Sequence, residues 1–275
     1  MPILAQGDIR KMRTELDDPV RYRLPVGDEQ VDMNALIGQE IQLSHGGGIH
    51  CIACGRTIKK SFHQGYCFPC LRSLPECDSC IVKPELCHYD KGTCRDPAWG
   101  DRHCMQEHYV YLANSSGLKV GITRGSQIPF RWMDQGAVQA LPVFRVKDRK
   151  TSGLVEVAFK NHVADRTDWR AMLRGNADPL DMNARRDELI TLCDGELDRL
   201  RADLGESAIE YVADAETVAI RYPVQQWPKK IVSLNFDKAP EISGRLQGIK
   251  GQYLILDTGV LNMRKFGGYE LSLST

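Results

Sequence analysis

The residues with the clearest chemistry are the cysteines. Nine of the ten fall between Cys51 and Cys104, and Cys193 stands apart. Cys51, Cys54, Cys67 and Cys70 read as C-x2-C, twelve residues, then C-x2-C. Each pair places two thiolates on one side of a tight turn. Two facing pairs close a tetrahedral shell, the coordination that zinc takes in structural sites. Gly55 and Gly65 sit where the chain has to turn. Four thiolates leave no position for water, so the expected ion is structural and not catalytic. A disulfide framework would need an oxidising compartment and usually a short secreted chain, and neither suits this sequence.

Cys77 and Cys80 form a third C-x2-C pair, followed by Cys87, Cys94 and Cys104, with His88, His103 and His108 nearby. Five thiols are one more than a tetrahedral ion needs. A second zinc is the first reading. An iron–sulfur cluster held by four of the five is the alternative. Linear spacing does not say which cysteine is spare.

The elements that position these groups follow from pattern and composition. At 275 residues the chain suggests about two domains. It is 42% hydrophobic and 26% charged, which excludes a disordered chain, a collagen and a coiled-coil rod. No apolar run approaches the ~18 residues of a membrane-spanning helix. Residues 1–13 hold no apolar block, so the expected localisation is cytoplasmic, with no membrane partner.

Thirty-six basic residues cancel thirty-six acidic ones. The cancellation is global only. Residues 119–150 carry a net charge of +5, residues 151–220 carry −7 and residues 221–275 carry +4. Two basic stretches around an acidic one fit a surface that meets nucleic acid.

The pattern predicts an α+β protein in several parts. Residues 1–50 form an N-terminal β segment with a strand at 41–43. Residues 51–106 form the cysteine-rich module, too poor in apolar mass to hold together without metal. Residues 107–180 read as an α/β unit. Its strands fall at 108–113, 118–123 and 141–147, and its helices at 130–136 and 152–162. Within it, residues 165–170 mix charge with one tryptophan, and a helix cap at Thr167 or Asp168 is expected. Residues 181–216 are a helical linker, with Leu189, Cys193, Leu197, Leu200 and Leu204 on one stripe. Cys193 is therefore a packing thiol. Residues 217–275 read as a small all-β domain with strands at 217–221, 231–236, 242–246, 253–256 and 269–273.

Within the α/β unit, Tyr109-Val110-Tyr111 lies on the first strand and Lys119-Val120-Gly121-Ile122-Thr123-Arg124 on the second. Arg131 opens the next helix, and Glu156 lies on a later one. This order resembles the GIY-YIG nuclease superfamily, in the branch whose second motif reads Lys-Val-Gly-Ile-Thr. The resemblance covers about residues 109–173. It implies a GIY-YIG-like fold and phosphodiester hydrolysis. It further implies Tyr111 as the base beside the attacking water, Arg131 on the scissile phosphate, and Glu156 as the ligand of one magnesium or manganese ion. Lys119 stands where most members carry a second tyrosine, and Lys160 where the branch usually has a histidine. Over its whole length the chain also resembles a bacterial and archaeal family without assigned activity that joins such a module to such a unit.

The resulting expectation is a zinc-binding protein that meets DNA or RNA and is a candidate divalent-metal-dependent endonuclease. Lys119, Arg124, Arg131, Arg145, Lys147, Arg149 and Lys150 would supply phosphate contacts. The rival is a non-catalytic nucleic-acid-binding or protein-interaction module with the central fold as scaffold. No particular protein partner is legible.

Overall fold

The computed structural model describes residues 2–164, 166–175 and 177–275. Asp165, the first residue of the 165–170 segment, lies outside the described residues.

The chain opens with β1 (Ile3–Asp8), β2 (Arg13–Glu15), β3 (Arg21–Val26), β4 (Glu29–Asp32) and β5 (Glu40–Ile49). The cysteine-rich stretch follows. It holds two short helices, α1 (Phe68–Ser73) and α2 (Pro97–His103), and several single 3-10 turns. The central unit runs β6 (His108–Asn114), β7 (Leu118–Arg124), α3 (Phe130–Asp134), β8 (Gln139–Val146), α4 (Arg149–Lys160) and α5 (Trp169–Arg174). Then come α6 (Met182–Leu192), α7 (Asp194–Leu204), β9 (Ile209–Tyr211), β10 (Val218–Ala219), β11 (Glu241–Lys250), β12 (Tyr253–Leu256), β13 (Gly259–Asn262) and β14 (Tyr269–Ser274). The protein is α+β.

The two ends of the chain share one sheet. Its strand order is β1-β14-β5-β11-β12-β13, and every neighbour is antiparallel. The expected division into a β segment at 1–50 and a separate β domain at 217–275 is therefore corrected. Neither end has enough strands to cover its own apolar face. Ile41 and Leu43 on β5 pack with Ile242, Leu246, Leu271 and Leu273 in one core. A second correction concerns 231–236, which is not a strand. Leu234 donates to the Val260 carbonyl and Val260 to that of Val232, so this segment only skirts β13. The linker is also two helices and not one. They meet at Cys193, which is fully buried and followed by Asp194 and Gly195, both weak helix formers.

The central sheet places β6 between β7 and β8. Its side chains alternate as strands require. Val110 and Leu112 face a core shared with Val155 and Phe159 of α4, Leu189 of α6 and Leu197 of α7. Tyr111 and Ala113 face the other way, into the core of the terminal sheet. Both faces of β6 are covered, which explains its near-continuous apolar run.

Two local features fix the helices beside the sheet. Asp148 caps α4, its carboxylate accepting from the Thr151 amide at 2.7 Å. Asp168 caps α5 by accepting from the amides of Arg170 and Ala171. The cysteine-rich stretch docks on α4 at Gly153, where a Cβ would come within 2.6 Å of the Glu85 amide nitrogen. Only glycine lets these two backbones meet so closely. No helix among the described residues is long and apolar enough to cross a membrane.

Candidate functional site: a basic cleft beside a cysteine cluster

Cys51, Cys54, Cys67 and Cys70 bring their sulfurs within 4.8 Å of one another. Cys54 and Cys67 are 3.8 Å apart, the edge expected of a tetrahedron with metal–sulfur bonds of about 2.3 Å. The amide of Cys67 donates to the Cys51 sulfur at 3.2 Å, and that of Cys70 to the Cys67 sulfur at 3.5 Å. Burial pushes the Cys51 thiol up, but the backbone amides of Cys54, Cys67 and Ala53 outweigh it and bring it down to about 6. Cys70 is raised, first by its contact with Cys67, then by burial and by Cys54 and Cys51. A cation held among the four relieves that repulsion. The donor set fits a metal ion such as zinc, and α1, entered through Cys67 and Pro69, carries the second pair.

A cleft of about 570 Å³ opens beside this cluster. Its floor is β7 from Val120 to Arg124, and its walls carry Arg131 and Gln135, Arg149 and Glu156 of α4, and Ile81 and Pro84 of the cysteine-rich stretch. His63 and Gln64 reach it from the loop between the two cysteine pairs, and Lys11 and Arg264 from the terminal β unit. Five cationic side chains therefore meet two carboxylates, Asp134 and Glu156. Asp134 is already engaged by Lys11 at 2.6 Å and by Gln252 at 2.9 Å.

The guanidinium groups crowd one another. Burial depresses Arg264, and the neighbouring Arg131 depresses it further. Burial likewise depresses Arg149, with Arg131 and Arg124 adding to it against the opposing thiols of Cys104 and Cys80. The Arg149 Nε is buried and has no hydrogen-bond partner among the described residues. Gathering like charges in a half-closed space is unfavourable unless an anion joins them.

Tyr111 lies fully buried under the cleft, its hydroxyl 2.9 Å from Gln135 Oε1 and its ring edge-on to Trp132. Burial raises its phenol, with Arg131 opposing the rise. Lys119 is buried too and donates to the same Gln135 oxygen at 2.7 Å. Gly121 stands opposite Tyr111 in the strand register, and a Cβ there would fall 2.7 Å from the Tyr111 hydroxyl. Gly121→Ala is therefore expected to push the Tyr111 ring off Gln135 and to destabilise the protein by about 2 kcal/mol, as overpacking does. A urea midpoint against that of the parent protein measures it.

The expected phosphate contacts divide. Arg124, Arg131 and Arg149 line the cleft. Lys119 is buried and held by Gln135 beneath the cleft lining. Arg145, Lys147 and Lys150 lie outside the cleft lining. Arg145 pairs with Glu210 at 2.5 Å, Lys150 with Asp90 at 2.9 Å, and Lys147 reaches the Leu204 carbonyl. Glu156 lines the cleft, 3.3 Å from Lys160. Of the five later cysteines, Cys80, Cys87, Cys94 and Cys104 share a small cavity that Cys77 does not line. A further trio, Asp78, Cys80 and His88, also falls within 4.8 Å.

Sequence reasoning missed Lys11, His63, Gln64, Asp134, Gln135 and Arg264. His63 and Gln64 carried a signal only in the backbone, with φ of 45° and 67°. Side chains in that left-handed region mark a turn that tertiary contacts hold.

His108 opens β6 close by and is fully buried, with Nδ1 2.8 Å from the Gln106 carbonyl. Burial lowers it to about 4, with Arg149 and Arg124 adding to the effect against Gln106. The folded state thus binds this proton less readily than the unfolded chain, whose histidines titrate near 6.5. Stability from this group is full above about pH 6.5 and is lost as pH falls toward 4. The loss amounts to about 3 kcal/mol. Urea unfolding at stepped pH should show that slope in the parent protein and a shallower one in His108→Gln.

The fold and the site define an α+β protein with a four-cysteine cluster that could hold a metal ion, set against a basic cleft. The chain belongs to the family described as "Protein of unknown function (DUF2797)", whose model matches residues 38–271. No curated protein and no solved structure matches the chain.

Proposed function

We propose that this protein binds DNA or RNA in the basic cleft and hydrolyses a phosphodiester there, with zinc at Cys51, Cys54, Cys67 and Cys70 as a structural ion. The observation that carries the reading is the crowding of Arg124, Arg131, Arg149 and Arg264 in one cleft with Glu156, while its other carboxylate, Asp134, is paired with Lys11. A phosphodiester gains charge on its oxygens as it is attacked. Guanidinium groups aimed at that charge in a half-closed space stabilise it strongly. Arg131 contacts the scissile phosphate, and Arg124 and Arg264 hold its neighbours. Glu156 is the ligand for a magnesium or manganese ion, which would polarise a phosphoryl oxygen when bound.

The order of Tyr111, Gly121, Arg131 and Glu156 supports a reading of the central unit as GIY-YIG-like. The role of Tyr111 differs from the one implied by that resemblance. A fully buried phenol with a raised pKa holds its proton, so it acts as a positioning residue for Arg131 and Gln135 and not as the base. Lys119 is a second positioning residue through Gln135.

The test is a cleavage assay on labelled single-stranded, duplex and branched DNA and RNA with magnesium or manganese. Cutting by the parent protein that fails in Arg131→Ala and in Glu156→Gln supports the reading. Salt-sensitive binding without cutting in any protein would assign the cleft to recognition alone.

A further inference from the structure

We propose that Cys80, Cys87, Cys94 and Cys104 hold an iron–sulfur cluster, with Cys77 outside it. This centre is independent of the nucleic-acid reading.

The four thiols line one small cavity of about 20 Å³, walled by Tyr89 and Trp99. Cys77 is not part of it and sits instead where Cys51 and Glu76 act on it. The Cys80 sulfur lies near those of Cys87 and Cys104, and the Cys104 sulfur near those of Cys87 and Cys94, so the four thiols converge on the cavity they line. This chooses the spare cysteine, which spacing alone leaves open.

The width of the set argues for a cluster over a single ion. The first four cysteines draw within 4.8 Å of one another, as one zinc requires. Among the described residues, Cys87, Cys94 and Cys104 form no such trio. An iron–sulfur core fills the centre with iron and sulfide and so holds its thiolates farther apart than one ion does. Four thiols that line one space are the ligand set such a core takes.

The competing trio of Asp78, Cys80 and His88 is already satisfied. Asp78 Oδ2 pairs with Arg95 at 2.7 Å and lies 3.5 Å from His88 Nε2. Asp78 Oδ1 accepts from the Ser79 hydroxyl and the Cys80 amide. His88 Nδ1 lies 2.8 Å from the Thr93 hydroxyl. A carboxylate committed to a guanidinium and two donors is poorly placed to bind a cation as well.

Two more features fit a cluster. Gly100 of α2 lets that helix approach, since a Cβ there would lie 3.1 Å from the Tyr89 ring and 3.5 Å from the Cys94 sulfur. Arg149 supplies positive charge beside Cys80 and Cys104, and its Nη2 donates to the Ile81 carbonyl at 2.5 Å. Ile81 lines both this cavity and the cleft, and Arg149 lines the cleft. A cluster bound by four thiolates carries net negative charge, which that guanidinium offsets.

The test is metal and sulfide analysis of the full chain purified without oxygen and reconstituted with ferrous iron and sulfide. The expected result is about four irons and one zinc per chain, with visible absorption that dithionite bleaches. Cys94→Ser should lose the iron and keep the zinc, whereas Cys77→Ser should keep both. Two zincs and no iron in the parent protein would overturn the proposal, and so would loss of iron from Cys77→Ser. If Cys94→Ser fails to fold, the parent's metal count and Cys77→Ser still decide.

Discussion

Removing the metal from Cys51, Cys54, Cys67 and Cys70 is expected to unfold the cysteine-rich stretch and disable the cleft together. Between residues 51 and 106 the structure offers two helices of six and seven residues, single 3-10 turns and few buried side chains. Such helices are not stable alone. Structural zinc contributes roughly 10–16 kcal/mol to small modules of this kind, far more than this stretch can gain from apolar burial. The cleft should follow because His63 and Gln64 hang from the loop between the two cysteine pairs. A strong chelator, or Cys67→Ser, should expose residues 51–106 to proteolysis and hydrogen exchange. The central sheet should stay protected, since its cores are built from β6, β7, β8, α4, α6 and α7. Restoring zinc should reverse the chelator's effect but not the substitution's. Protection of residues 51–106 that survives complete chelation would sink the idea.

The second large effect is expected at Arg131. Replacing it with alanine should lower the cleavage rate by about 10²–10³, the usual cost of losing a group that meets charge developing in the transition state. Binding should fall far less, because Arg124, Arg149, Arg264 and Lys11 continue to supply positive charge. Glu156→Gln should abolish metal-dependent cutting while leaving binding intact or stronger, since it removes negative charge from a site for an anion. Lys150→Ala is the matching control. It pairs with Asp90 away from the cleft, so it should change neither quantity. Equal losses in Lys150→Ala and Arg131→Ala would mean that general surface charge, and not the cleft, governs the chemistry.

How much of this was legible in the sequence depended on distance along the chain. The four-cysteine site is local. Its ligands lie within twenty residues, and C-x2-C pairs encode their own geometry, so type and spacing were enough. The strands and helices from β6 to α4 were legible for a related reason, since alternation and period show the faces that must be buried. The basic residues after Val143 misled because a run of like charge says nothing about direction. Arg145 leaves β8 toward Glu210, Lys150 turns toward Asp90, and only Arg149 faces the cleft. Lys11 and Arg264 could not be read at all. More than 250 residues separate them, and long-range contacts such as the pairing of β1 with β14 and the bonds of Met12 with Gln252 bring their segments together. The break at Cys193 was hidden because the leucine stripe continues across it.

That pairing of β1 with β14 also joins segments that are synthesised far apart in time. Ile3 opposes Ser274, and the Thr275 amide donates to the Pro2 carbonyl. During synthesis β1 is made long before β14, its partner in the sheet. Lys11 and Arg264 both line the cleft, so its lining is completed only once both have been made. A chain cut short of β14 carries the cysteine-rich stretch and the central sheet but lacks the strand that joins β1 to β5, and long-range pairing of this kind forms slowly.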